Sequence, residues 1–367
     1  MLSRGSRRRI LATYFGALLV WLATTAMHIP DGYLSPSTSL IMFLLVLPFW
    51  ALGVRRIRNT MTARSVPLIA LMAAFSFVIM MFNVPLPGGT TGHAVGAALA
   101  AIVLGPEAAT IAISIALIIQ ALFFGDGGIL AIGANCFNMA VVIPYIAAVV
   151  YHAVSKNSPL VSSRRLVGAA LGAWVGVTVA ALLAGVEFGI QPLLFKAADG
   201  TPLYAPYPLS VSIPAMVIPH ALVASVVEAL LTGLVLAYLQ RSNVAVLQAA
   251  EKPAAYAASF GRLRWLWATL IALVIVSPLG LLAPGTAWGE WGAKELQQRG
   301  LQSIPAGLER LSSLWGAPLA GYDLAALGNA NLGYVLSAVL GVTIVAIVVW
   351  LFTVLITSAS GSGGRAK

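Results

Sequence analysis

The chain carries little charge. Of its 367 residues only 9% are Asp, Glu, Lys or Arg, against 60% hydrophobic residues. A soluble domain carries about 25% charged residues, so a water-soluble globular protein is excluded and an all-α polytopic membrane protein is expected. The single cysteine, Cys136, excludes an internal disulfide framework and any multi-cysteine zinc site. It falls in an apolar helix and reads as packing. There is no G-x-x-x-x-G-K-S/T loop, so the chain does not hydrolyse ATP by that route. Neither H-E-x-x-H nor G-x-S-x-G is present. No internal repeat is visible, which leaves the inverted-repeat architecture of many secondary transporters without support.

Apolar runs mark spans at 38–54, 65–82, 92–104, 106–124, 129–151, 165–186, 211–239, 265–282 and 332–356. A crossing helix needs about 20 apolar residues. The short Gly/Ala-rich segment 92–104 therefore predicts a broken or re-entrant helix, tolerated only where its backbone is buried in protein. A polar stretch at 241–264, containing Pro253, predicts a cytoplasmic linker between a seven-span unit and a two-span module. The module encloses a loop at 283–331, and residues 358–367 form a tail. Trp288, Trp291 and Trp315 in that loop are expected as anchors at the membrane interface. Small residues four apart (Gly92, Gly96, Ala100; Gly168, Gly172, Gly176; Ala70, Ala74) have the spacing of close-packed membrane helices. For Ala70 and Ala74 a partner subunit is the alternative.

The net charge of +10 is asymmetric. If the end after residue 26 lies outside, thirteen basic residues fall in inside loops, including Arg55, Arg56, Arg58, Lys156, Arg164 and Arg165. Only four fall outside: Lys196, Lys294, Arg299 and Arg310. This satisfies the positive-inside rule. The charge sets orientation and implies no nucleic acid partner.

Residues 1–26 have the three parts of a secretory signal: Arg4, Arg7, Arg8 and Arg9, then the apolar run Ile10–Leu22, then small residues Thr24 and Ala26. An uncleaved anchor helix is the alternative. Cleavage after Ala26 leaves Met27-His28 as a new N-terminus, with three nitrogens in a row: the α-amine of Met27, and the amide and imidazole of His28. They can close two fused chelate rings in one plane, which suits Ni(II) or Cu(II) over octahedral oxygen-loving ions. The amine, with a reference pKa near 8, gives up its proton to the metal with modest difficulty.

Four histidines are present. His93, after Pro87-Gly88-Gly89-Thr90-Thr91-Gly92, is on the same side as His28 and is the natural fourth donor. His152 falls at the opposite end of its span. His220 lies within a span, where ionisable residues are functional candidates by default but a hydrogen-bonded structural histidine is the commoner outcome. Asp31, Asp126 and Asn135 are candidates to orient the ligating imidazoles; Gly125–Gly128 reads equally well as a tight turn. Asn135 and Asn138 share a helix face and read as holding helices together.

Met27-His28-Ile29-Pro30-Asp31-Gly32-Tyr33-Leu34, then Gly92-His93, Gly105-Pro106, Gln120–Gly128, Gly133-Ala134-Asn135 and Asn138-Met139 resemble the CbiM/NikM family. These are substrate-capture (S) components of energy-coupling-factor importers for cobalt or nickel. The likeness covers roughly 27–240. It implies a seven-helix S-component fold, with the metal held by Met27, His28 and His93. It implies no enzymatic activity and no cofactor, the ion being the substrate. The partners implied are a transmembrane coupling (T) subunit and two ABC-type ATPase subunits in a bacterial inner membrane. The tail at 265–357 is similar to a two-helix CbiN/NikN-type module, except that Ile304-Pro305-Ala306-Gly307-Leu308-Glu309 has Ala306 where a Pro-Asp-Gly-Leu-Glu pattern places aspartate. Nickel and cobalt are not separated by these residues. A membrane metallohydrolase using His93, His220 and Glu228, or an S component for an organic vitamin, are the rival readings.

Overall fold

The computed structural model describes residues 27–361 apart from 61–64, 87–89, 252–259, 284–286, 299 and 302. The expected signal at 1–26 lies outside the described residues. The protein is a helical polytopic membrane protein. Among the described residues, seven helices are long and apolar enough to cross a membrane. They are α1 (Pro36–Thr60), α4 (Pro106–Phe124), α5 (Ile132–Ser155), α6 (Ser163–Leu194), α7 (Leu209–Ser242), the segment Leu263–Leu282 that contains most of α9 (Phe260–Val276), and α12 (Ala330–Gly361). Between α1 and α4 lie α2 (Val66–Met80), a two-stranded antiparallel ribbon β1 (Val84–Leu86) and β2 (Thr90–Gly92), and α3 (Ala97–Leu104). Shorter helices are α8 (Val244–Glu251), α10 (Ala293–Gln298) and α11 (Ala306–Leu311).

α2 is apolar all round because it is enclosed all round: Val66 and Leu68 to Met80 are buried, the pattern of a central helix. It packs against α4 on one side and against α9 and α12 on another. Ala70 and Ala74 are thus covered within this chain. α3, expected as the short span, has eight residues, all buried. At 1.5 Å per residue it is about 12 Å long and cannot cross a bilayer alone. The irregular residues His93–Gly96 lead from β2 into it, and the chain turns at Gly105 into α4, where Glu107 meets Gly53 near the far end of α1.

The glycines on α6 explain how closely it approaches α5. An added Cβ would stand 2.9 Å from Ser155 Oγ at Gly168, 2.6 Å from the Ala147 carbonyl at Gly172 and 3.0 Å from the Ile143 carbonyl at Gly176. On α12 a methyl at Gly341 would overlap the Phe77 ring of α2. The stretch expected as a linker, 241–264, instead carries α8, whose Val246 and Leu247 are buried. Trp288 and Trp291 also depart from expectation: they are 5% and 6% exposed and pack inside the protein, Trp288 against Phe188 and Tyr207. Trp315 is 46% exposed and donates to the Leu122 carbonyl at 2.9 Å.

Gly172→Leu forces a side chain into the α5 backbone and is expected to cost about 1–3 kcal/mol. Gly292→Ala, where an added Cβ meets nothing within 4 Å, is the control. Thermal unfolding of both variants in detergent checks this; equal melting temperatures would refute the close α5–α6 packing.

Candidate metal centre

The segment Met27–Ser35 is irregular, yet Met27, His28, Ile29, Tyr33, Leu34 and Ser35 are each 2% exposed or less. Burying such a backbone leaves N–H and C=O groups that must find partners. Distant side chains supply them. Asn135 pairs with Ile29 on both sides: the Ile29 N–H donates to Asn135 Oδ1 at 2.8 Å, and Asn135 Nδ2 donates back to the Ile29 carbonyl at 3.1 Å. The same carbonyl accepts the Gly128 N–H at 2.9 Å. Asp31 accepts the N–H groups of Ile129 (3.0 Å) and Leu130 (2.8 Å), stapling the segment to the loop before α5. Burial raises the Asp31 pKa against these bonds, which lower it. Gly128 is required here, since a Cβ would overlap Asp31. Gln191 on α6 takes the Ser35 N–H at 3.0 Å.

These bonds aim His28 at His93. His28 Nδ1 lies 3.1 Å from His93 Nε2 and 3.1 Å from Asp126 Oδ1. The ring centroids are 4.9 Å apart, tilted by 38°. His93 Nδ1 lies 3.1 Å from the Ala94 carbonyl; a carbonyl only accepts, so Nδ1 carries the proton and Nε2 presents its lone pair to His28. Burial first, then the neighbouring His28, push the His93 imidazole down to about 4, so it is neutral and able to donate to a cation at ordinary pH. A single proton on His28 Nδ1 is therefore shared between Asp126 Oδ1 and His93 Nε2. That position, between two nitrogens and a carboxylate, suits a cation.

Of the three polar residues expected to orient imidazoles, Asp126 touches one, whereas Asp31 and Asn135 hold main chain. His152 is exposed, 17 residues along α5 from Asn135 and thus about 25 Å away. His220 is buried, and its Nδ1 donates to the Met216 carbonyl at 2.7 Å. Glu228 Oε2 accepts the N–H groups of Val95 (2.7 Å) and Gly96 (3.0 Å), capping α3. It thereby fixes the loop that carries His93. Asn138 donates to Glu187 on α6 at 3.0 Å. Three π-turns, Gln120–Phe124, Cys136–Val142 and His220–Ala224, interrupt the helices around this centre, as π-bulges commonly do at functional sites.

The centre opens on a cavity of about 440 Å³ lined by His28, His93, Asp126, Glu290, Tyr322 and Tyr334 among others. The last three come from the C-terminal part of the chain, which the residue pattern did not connect to the histidines. Glu290 accepts the backbone N–H of His28, and its Oε1 has no partner. Its pKa is raised well above the ordinary glutamate value, by burial first and then by the charge of Asp126. The Gly-Glu pair between two tryptophans was the one available signal: an acid in an otherwise apolar, aromatic stretch. Among the described residues no three His, Cys, Asp or Glu side chains gather as a metal cage.

A family model described as the cobalt uptake substrate-specific transmembrane region, CbiM, matches residues 28–246. The chain belongs to the CbiM family. A PDGLE domain follows at 262–358. The fused nickel transport protein NikMN of Rhodobacter capsulatus is 51% identical, covering 87% of this chain and 95% of that one. The cobalt transport protein CbiM of Roseiflexus sp. is 35% identical over 48% of this chain and 68% of its own. A crystal structure of a transition metal transporter superposes with a TM-score of 0.55 at 47% identity, covering 61% of this chain and 98% of that one. In this CbiM chain Ala306, standing where the second domain's name has aspartate, is exposed at the first position of α11. The adjoining Gly307 and Leu308 are buried; a Cβ at Gly307 would stand 2.5 Å from the Leu203 carbonyl, and one at Gly32 (φ +92°) 2.6 Å from the Leu308 carbonyl.

Asn135→Ala strands the Ile29 N–H and is expected to cost about 1–3 kcal/mol; hydrogen exchange at Ile29 should quicken, and unchanged protection there would refute the clamp. Glu290→Gln gives a pH test on metal-free protein. A carboxyl whose folded pKa is raised contributes stability below its unfolded pKa of about 4.3 and loses it as pH rises toward the folded value. The Gln variant, which cannot ionise, should gain stability over wild type progressively above that pH. Parallel stability curves for the two proteins would refute a buried Glu290.

Proposed function

We propose that this chain is the substrate-capture subunit of an ATP-driven energy-coupling-factor importer for Ni(II) or Co(II), with Ni(II) the favoured ion. The ion is taken up at the extracytoplasmic face of a bacterial inner membrane. The N-terminus freed after Ala26 lies outside and the C-terminus lies in the cytoplasm. The donors are the Met27 α-amine, the His28 amide and Nδ1, and His93 Nε2. A T subunit and two ABC-type ATPases supply the energy, in keeping with the lack of a P-loop in this chain.

The observation that carries this reading is the 3.1 Å separation of His28 Nδ1 and His93 Nε2. Metal–imidazole bonds of about 2.0 Å at the right angles of a square plane put neighbouring donors about 2.8 Å apart. The two imidazoles thus stand within a few tenths of an ångström of the spacing that a planar ion needs. His93 is already neutral and oriented through Ala94, as ligating imidazoles usually are. The preference for Ni(II) rests on the planar nitrogen set and on the nickel transport named for the fused relative that spans both parts of the chain. Planar chelates of this kind release slowly, which is why hydrolysis in the partner chains is needed to discharge the ion.

His28→Ala and His93→Ala should each abolish nickel uptake in cells while membrane levels of the protein stay normal. A one-residue extension before Met27 in the mature protein should do the same, because it displaces the amine from His28. Mass spectrometry of the purified amino end, with metal analysis of the same sample, checks the premise. Full uptake by a chain retaining residues 1–26 would sink it.

A further inference from the structure

Two non-glycine residues among those described take a left-handed backbone, Asn157 and Tyr322, each at φ 60°. Asparagine does so readily, whereas a bulky aromatic residue there is an outlier. Such a conformation persists only where the surroundings over-determine it. Around Tyr322 they do. Its ring stacks on Phe124 at 4.8 Å and 20° and meets Tyr334 edge-on at 5.6 Å. Its carbonyl accepts the Ser337 hydroxyl at 2.9 Å, and its N–H donates to the Leu319 carbonyl at 3.0 Å. The phenol that results from this restraint donates to Asp126 Oδ2 at 2.6 Å and accepts from Gln120 Nε2 at 2.9 Å.

We infer that Tyr322 is a positioning residue for the metal centre, acting through Asp126 on the imidazole of His28; this rests on the nitrogen-donor reading above. Asp126 sits between Gly125 (φ +66°) and Gly127 (φ +89°) and is 20% exposed; its N–H donates to the Gln120 carbonyl at 3.2 Å, which leaves the carboxylate to be oriented by side chains. One carboxylate contact would leave it free to swivel. With Oδ2 held by the Tyr322 phenol at 2.6 Å and reached more distantly by Gln120 Nε2 at 3.4 Å, Oδ1 faces His28 Nδ1 at 3.1 Å. Before an ion arrives, that contact sets the plane of the imidazole so that Nδ1 also faces His93 Nε2; when the ion takes the Nδ1 lone pair the proton leaves to solvent, and the held carboxylate stays beside the ion as a fixed negative charge. The ring orientation of a ligand in the first part of the chain is thus governed by a side chain more than 290 residues later. This makes the C-terminal module a working part of the site.

The test is Ni(II) titration of the full mature chain in detergent. Tyr322→Phe keeps the ring and its stack and loses only the hydroxyl; it should weaken Ni(II) binding about ten- to a hundredfold, the usual effect of removing a group that orients a ligand. Asp126→Asn should weaken it comparably. The double variant should be no weaker than the worse single one, because both act through one contact. Wild-type affinity in Tyr322→Phe, or losses that multiply in the double variant, overturns the inference and leaves Tyr322 a structural anchor. Tyr322→His, which keeps a ring donor for Asp126, should bind Ni(II) more tightly than Tyr322→Leu. Equal affinities in these two overturn the inference even if Tyr322→Phe proves unfolded. His28→Ala separates the two levels of argument. If it binds Ni(II) like wild type, the donor assignment itself is wrong; if it loses binding while Tyr322→Phe does not, only the positioning role is lost.

Discussion

Placing irregular backbone inside a bundle of apolar helices is the constraint on which this structure turns. Within a membrane protein no water is at hand for a stranded N–H or C=O, and each one left unpaired costs several kcal/mol (about 1–3 even in soluble proteins). Two irregular segments meet here, Met27–Ser35 and His93–Gly96, and both are buried. Asn135, Gln191 and Glu228 are each committed to main-chain amides in one or the other. These polar residues in apolar helices therefore have a common cause: they stand in for the strand or helix partner that an irregular backbone lacks. The imidazoles of His28 and His93 come together because the segments carrying them are pinned in this way.

Close approach follows from the same demand. Gly128 admits Asp31, and Gly127 admits the Asn135 amide, which an added Cβ would face at 2.8 Å. The π-turns widen α4, α5 and α7 where the segments enter. Gly96, in a left-handed conformation at φ +74°, begins α3 while its N–H points at Glu228. The eight-residue α3 is tolerable only because α4, α5 and α6 enclose it.

The fold and the meeting of His28 with His93 were legible in the residues for physical reasons that also mark the limits. Span number follows from length of apolar run, so eight of the nine runs are near-full or full helices. The ninth, at 92–104, betrayed itself by being short. His28 and His93 stood out because His28 stands second after the end of the expected signal and His93 follows a glycine-rich stretch on the side expected to be the same. The order of depth that set His152 apart also followed from span position. Trp288 and Trp291 misled because aromatic residues beside apolar helices serve equally at an interface and in a core, and only the tertiary partner decides; here Tyr33 donates to the Trp291 carbonyl at 2.8 Å. Glu290 and Tyr322 carried no spacing signal relative to His28, since their relation to it exists only after the second module docks.

That docking has two energetically different parts. Within the membrane, α12 closes on α2 with Gly341 against the Phe77 ring, and Tyr334 donates to the Met81 carbonyl at 2.7 Å; separating these surfaces would open voids among packed side chains. Over the cavity the contacts are of another kind. Trp315 Nε1 and the Leu319 N–H donate to the carbonyls of Leu122 and Phe123 at 2.9 Å each, and these are carbonyls from the last turn of α4, which every helix leaves unpaired. At a wet surface water replaces such bonds at a net cost of only about 0.5–1.5 kcal/mol apiece. The rim at Trp315 and Leu319 can therefore fray cheaply, whereas Trp288, Trp291 and Tyr322, buried elsewhere along the same loop, hold it down through packed aromatic surface. The helices that tether the loop in turn keep it at high effective concentration over the cavity.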